Sequence, residues 1–185
     1  MRIWTNHVRR KSDPVSAPDN SKAIDAAWRI HAAQVDWTGK VDAKAAFAFA
    51  IESAALATVI GLSATGRMFS EFGNCFLSTL YYAGLFGLLV SIAFAALVVF
   101  PRLRGRHTKA ESANNFIYFG HARHWDASVL KTALAEVDLL DQLSRQIVVM
   151  ATIAWTKHRR VQWSVGSAVA AAVLLVICGI LVRIH

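Results

Sequence analysis

The stretch FLSTLYYAGLFGLLVSIAFAALVVF, Phe76–Phe100, runs without a single charged side chain. A helix crossing a bilayer core needs roughly 20 apolar residues, so this segment is long enough to span a membrane. Further along, VQWSVGSAVAAAVLLVICGILV, Val161–Val182, is equally free of charge. Before it, Ala43–Leu62 is nearly as apolar but carries Lys44 and Glu52. Three such runs in 185 residues predict an all-α integral membrane protein with three transmembrane helices and cytoplasmic amphipathic helices.

The remaining sequence falls into a flexible basic tail (1–20), a cytoplasmic helix (21–42), an external loop (63–75), and a cytoplasmic loop with a long amphipathic helix (101–160). Lys and Arg set the orientation: seven fall in 1–42 and ten in 101–160, against Arg67 alone in the loop and Arg183 in the C-terminal stub. The positive-inside rule places both long polar segments, and hence the N-terminus, in the cytoplasm of a multi-pass membrane protein. The opening Met1-Arg2-Ile3-Trp4 lacks the apolar core of a signal peptide. The net charge of +8 sets topology and meets anionic lipid; no nucleic-acid module accompanies it. Cys75 and Cys178 are the two cysteines. They sit at different expected depths, so neither a disulfide nor a zinc site is expected.

Ile24, Ala27, Trp28, His31 and Val35 recur at helical spacing after a cap at Asp19, Asn20 or Ser21. Gly39 is either a bend or a tolerated residue within a helix that continues into the first span. Small residues lie four apart in each span: Ala46, Ala50, Ala54, Thr58; Ala83, Gly87, Ser91, Ala95; and Ser164, Ala168, Ala172. Such stripes allow close helix approach in lipid, within one bundle and between copies. Pro101 ends the second span, and Arg102, Arg104 and Arg106 anchor it at the headgroups. From the cap at Asp126, Leu130, Leu134, Val137, Leu140, Ser144, Ile147, Ala151 and Ala154 form a near-heptad seam. No breaker precedes Lys157-His158-Arg159-Arg160. The helix is therefore expected to join the third span as one rod of roughly 55 residues, about 80 Å long.

Glu52 stands about eight residues into its span, roughly 12 Å deep. An ionisable group there suggests a water path or a cation site; the alternative is a carboxyl bonded to Ser53, Ser91 or a neighbouring copy. Lys44 is close enough to the surface to snorkel. The densest polar-aromatic stretch is Asn114–Trp125. It suits either base stacking with an arginine clamp or an interfacial aromatic belt. His107, Glu111, His121 and His124 match no metal-ligand scheme. No catalytic triad, phosphate loop or paired-carboxylate site is found, so no enzymatic activity is expected.

Several segments, taken together, resemble the Pycsar transmembrane effectors. Asp42-Ala43-Lys44-Ala45 resembles that family's D-x-K-A opening of the first span. Pro101-Arg102 resembles its R-P-R, with Phe100 in place of the first arginine. Asn115-Phe116-Ile117-Tyr118-Phe119-Gly120 is similar to its N-hydrophobic-F-F-G segment. Asp138 to Gln146, followed by Lys157, resembles its D-x-x-x-Q stretch and basic approach to the last span. The resemblance covers about Ala23–Leu181. It implies an antiphage effector activated by cyclic UMP or cyclic CMP from a partner cyclase, with no cofactor, that impairs the inner membrane and arrests growth. On that implication Arg102, Arg104, Asn115, Tyr118, His121 and Arg123 are the expected nucleotide contacts. Glu52, with Lys44, is the expected membrane-lesion pair. Three helices cannot enclose a pore, so a homo-oligomer in the lipid bilayer is expected. Two other readings stand beside it. A membrane scaffold or transporter-accessory subunit would ignore nucleotides, and a holin-like lytic protein would be toxic alone.

Overall fold

The computed structural model describes residues 20–100, 109, 112 and 115–184. Among them are helices and no strands: α1 (Ser21–Leu62), α2 (Cys75–Val99), the short α3 (Phe119–Ala122), α4 (Ala127–Glu136) and α5 (Leu139–Ile184). α1, α2 and α5 are each long and apolar enough to cross a membrane. The expected basic tail lies almost wholly outside the described residues.

α1 runs unbroken for 42 residues. Gly39 is thus a tolerated helical residue, with open space where a Cβ would stand. α2 starts on Asn74, whose side chain accepts from the Leu77 N–H at 2.9 Å. The helix expected from Asp126 onward is divided in two. α4 stops at Glu136, and Val137 is extended at φ −84° and ψ 143°. Asp138 Oδ1 then accepts from the Leu140 N–H at 3.0 Å. A short carboxylate beside free backbone donors caps a new helix in preference to sitting inside an old one. The rod therefore begins at Leu139 and has 46 residues, about 69 Å at 1.5 Å per residue.

α1 and α5 run in the same direction, α2 runs back antiparallel to them, and each of the three packs against the other two. At one end Val41 and Ala45 pack with Val98 and Val161. At the other, Val59 meets Tyr81, Leu175 and Cys178 under the aromatic loop residues Phe69 and Phe72. Ser63, the C-cap of α1, and Tyr81 share a hydrogen bond of 2.7 Å that ties the end of α1 to α2.

The buried positions repeat every seven residues: Ala45, Glu52 and Val59 on α1; Gly84, Ser91 and Val98 on α2; Ser164, Ala171 and Cys178 on α5. Seven-residue spacing keeps one seam facing its neighbours along the whole contact. The four-residue stripe of α1 does not follow this seam, and those of α2 and α5 follow it in part. Ala46, Ala50, Ala54 and Thr58 all face outward, as do Ala83 and Ala172. Ser91, Ala95 and Ser164 coincide with the seam. Close approach occurs at Gly84, where a Cβ would stand 2.7 Å from Leu175 Cγ, and at the stripe residue Gly87, where one would stand 3.2 Å from Ala171 Cβ.

Candidate functional site

Where α1 and α5 leave the apolar part of the bundle, a cavity of about 730 Å³ opens between the three long helices and the Asn115–His121 segment. That volume falls in the roughly 300–1,000 Å³ class of small-molecule sites. α5 supplies one wall with Gln142, Arg145, Gln146, Val149, Met150, Ile153, Thr156, Lys157 and Arg160. These positions recur at three- and four-residue steps, so one face of a single helix carries them. α2 contributes Leu97, Val98 and Val99 with its C-cap Phe100, and α1 contributes Asp42.

The polar-aromatic stretch forms the remaining wall. The Trp125 indole N–H donates to the Asn115 carbonyl at 3.1 Å, and Phe116 meets the Trp125 ring edge-on at 5.8 Å. The Phe116 N–H donates to Gln142 Oε1 at 3.4 Å, fastening the segment to α5. Tyr118 stacks edge-on against His121 at 5.2 Å. Gly120 lies under the Tyr118 ring, so any Cβ there would overlap it.

Three cations line the cavity, each with a different partner. Arg145 pairs with Asp141 within α5 at 2.8 Å. Lys157 Nζ lies 2.7 Å from both carboxylate oxygens of Asp42 on α1. The Arg160 guanidinium donates to the Leu97 carbonyl of α2 at 3.3 Å. Positive charge, side-chain amides and aromatic faces thus surround one space, a combination suited to an anionic, planar, hydrogen-bonding ligand.

Of the residues expected from the sequence to contact nucleotide, Asn115, Tyr118 and His121 line this cavity. Arg123 does not; it is exposed and its Nε donates to His124 Nε2 at 3.2 Å. Arg102 and Arg104 lie outside the described residues. The sequence reading gave no site role to Arg145 or Gln142, which fall between the seam positions, and took Arg160 as marking the membrane surface. Their shared face with Gln146 and Lys157 was the available signal.

The Pycsar effector protein domain matches residues 26–184. The chain belongs to the Pycsar effector family. No curated protein and no solved structure matches it. Family membership makes this chain an antiphage defence effector. It implies a cyclic nucleotide from a partner cyclase, and the three apolar helices imply a lipid bilayer.

A second polar feature of this Pycsar effector lies deep among the spans. Glu52 is 4% exposed. The Ser164 hydroxyl donates to Glu52 Oε1 at 2.8 Å, and the Ser91 hydroxyl donates to the Ser164 carbonyl at 2.8 Å. One node therefore joins all three long helices. Glu52 Oε2 has no hydrogen-bond partner. The sequence had suggested Ser53, Ser91 or a neighbouring copy as Glu52's partner; within the chain Ser164 holds that place. Lys44 is exposed on the outer face of α1, away from this node.

Proposed function

We propose that the effector binds a cyclic pyrimidine nucleotide, cyclic UMP or cyclic CMP, in the cavity beside α5, and that occupancy triggers impairment of the inner membrane. The supporting observation is the convergence of Arg145, Lys157 and Arg160 with Asn115, Gln142, Gln146, Tyr118 and His121 on one space. Guanidinium and ammonium groups suit the cyclic phosphate. Tyr118 or His121 offers a stacking face, and the amides can read the pyrimidine edge. Arg102 and Arg104, which follow the cavity residue Phe100 in sequence, complete the proposed contact set. Arg123 is the weaker member because it stands off the cavity wall.

In this reading the basic arms lie in the cytoplasm, where the cyclase product is made and where positive charge is retained. α5 carries the cavity wall on its arm and Ser164 in its span. A change at the wall therefore reaches the Glu52 node along one helix. A ligand shifts the bundle only by its differential affinity for two arrangements. Glu52 is proposed as the group that destabilises the membrane barrier once the bundle rearranges, with Lys44 at the rim. Several copies assemble to form the lesion.

Thermal unfolding of the detergent-purified chain with cyclic UMP, cyclic CMP, cyclic AMP and cyclic GMP tests the sensing step. A ligand bound only by the folded state at 100 times its Kd stabilises by about 2.7 kcal/mol. A shift with a pyrimidine nucleotide alone is expected. No shift with any of the four, in folded protein, overturns the proposal and favours a nucleotide-independent scaffold.

A further inference from the structure

The cavity's cations also fasten the bundle. Lys157 binds both oxygens of Asp42 at 2.7 Å, and this contact joins α1 to α5 where each helix passes from polar arm to apolar span. Arg160 joins α5 to α2 one turn further on through the Leu97 carbonyl. The other ion pairs among the described residues, Lys40–Asp36 and Arg145–Asp141, are four-residue pairs within one helix. Lys157 is the more sheltered partner of its pair, with 23% side-chain exposure against 42% for Asp42, and both face the cavity. Directly beneath them lies the small apolar cluster of Val41, Ala45 and Val98.

We infer that the Lys157–Asp42 pair is a staple holding the resting bundle closed, and that an entering phosphate opens it by taking Lys157 for itself. This rests on the reading of the cavity as the nucleotide site. The phosphate offers acceptor oxygens to Lys157 and Arg160 from one side, whereas the resting state satisfies them from two different helices. Drawing both cations toward the ligand releases α1 and α2 from α5 at the same level. At that end α1 then keeps the small apolar contact of Val41 and Ala45 with Val98 and Val161, without an ion pair to α5. Asp42, left without its cation beside a bound anion, is repelled from the site, which favours the opened arrangement further.

Linkage makes this testable. Whatever loosens the staple must favour the opened bundle and tighten nucleotide binding by the same factor. The full chain in liposomes of phosphatidylethanolamine and phosphatidylglycerol, loaded with a self-quenched dye, reports leakage. Titration of the same proteoliposomes with cyclic UMP and cyclic CMP reports affinity. Asp42→Asn is expected to raise nucleotide-free leakage roughly fivefold and to tighten the bound nucleotide's Kd by a similar factor. Asp42→Glu, which can keep the pair, should restore the wild-type values. Asp141→Asn removes the same charge from a pair that joins no second helix. It should leave nucleotide-free leakage unchanged, separating the staple from a simple gain in positive field.

If wild type binds a nucleotide but Asp42→Asn leaks no more than Asp141→Asn, the staple is refuted and nucleotide sensing stands. The staple is equally refuted if Asp42→Asn leaks more yet binds no more tightly. If wild type binds neither nucleotide, the sensing reading fails and the ligand-released staple fails with it.

Discussion

Glu52→Leu should make the protein more stable and less harmful to the membrane. The carboxyl is buried among three helices, and one of its oxygens lacks a partner. Burying an unpaired polar group costs about 1–3 kcal/mol in mutational terms. The substitution gives up the Ser164 hydrogen bond, and such interhelical bonds average about 0.6 kcal/mol in a membrane protein. Ser164 is not stranded by this loss. Its hydroxyl can turn to the carbonyl four residues back on α5, as Thr152, Thr156 and Ser167 already do. Subtracting one term from the other leaves a net gain centred near 1.4 kcal/mol. A chain of this size shifts Tm by about 2–4 °C per kcal/mol, so a rise of roughly 3–6 °C is expected. Far-UV circular dichroism of detergent-solubilised protein measures it. Growth of cells co-expressing the cyclase measures the second half, where the variant should lose toxicity. Glu52→Gln, which keeps an acceptor for Ser164, should fall between. A lower Tm for Glu52→Leu would show the carboxyl to be a structural keystone. Full toxicity at raised Tm would remove Glu52 from the lesion.

Two glycines should respond to alanine with opposite signs. Gly84→Ala drives a methyl toward Leu175 Cγ and within 3.3 Å of the Ala171 carbonyl, so unfolding should become easier. Gly166→Ala meets open space and should stabilise by somewhat under about 1 kcal/mol; equal signs in the same melts would contradict the packing described. Gly120→Ala displaces the Tyr118 ring from the cavity wall, and a loss of stacking of about 1–1.4 kcal/mol predicts five- to tenfold weaker nucleotide binding by titration, with little change in Tm. Asp126 caps α4 through the Ser128 hydroxyl and N–H and the Val129 N–H, donors that hold its carboxyl below the ordinary 3.8. A folded value below the unfolded one means the cap is fully effective above the unfolded value and is lost as pH falls through the folded one. The Ser128 amide resonance should therefore titrate with a midpoint under 3.8; a midpoint at or above it would refute the cap.

Span positions were legible because uninterrupted apolar composition over 20 residues has few other meanings. Which face of each span packs was not. Ala46, Ala50, Ala54 and Thr58 are small, yet they face outward, while Ala45, Glu52 and Val59 form the seam. In an alanine-rich helix, small residues fall on every face, and only the partner helices select one. The break at Val137 was missed because the segment contains no glycine or proline. Asp138 with Asp141 three residues later was a helix-start signal inside an apolar pattern. In the cavity, the aromatic and amide wall could be read from local density around Asn115–His121. The cationic wall was not singled out: the expected continuous rod already carried Arg145 and Arg160 fifteen residues apart on one helix, but nothing in the sequence says which face of that rod meets the Asn115–His121 segment.

That continuity fixes an angular phase. α5 turns about 100° per residue, so the direction in which Arg145 and Lys157 point determines the direction in which Ser164 and Ala171 point further down. One alanine inserted after Arg160 would rotate the cavity by about 100° relative to the spans, while seven would return it to within about 20° of register. The recognition end and the membrane end are thus indexed to each other like two cams on one shaft. Exchanging ligand-binding arms between relatives should preserve the response only when the junction keeps the number of residues in phase.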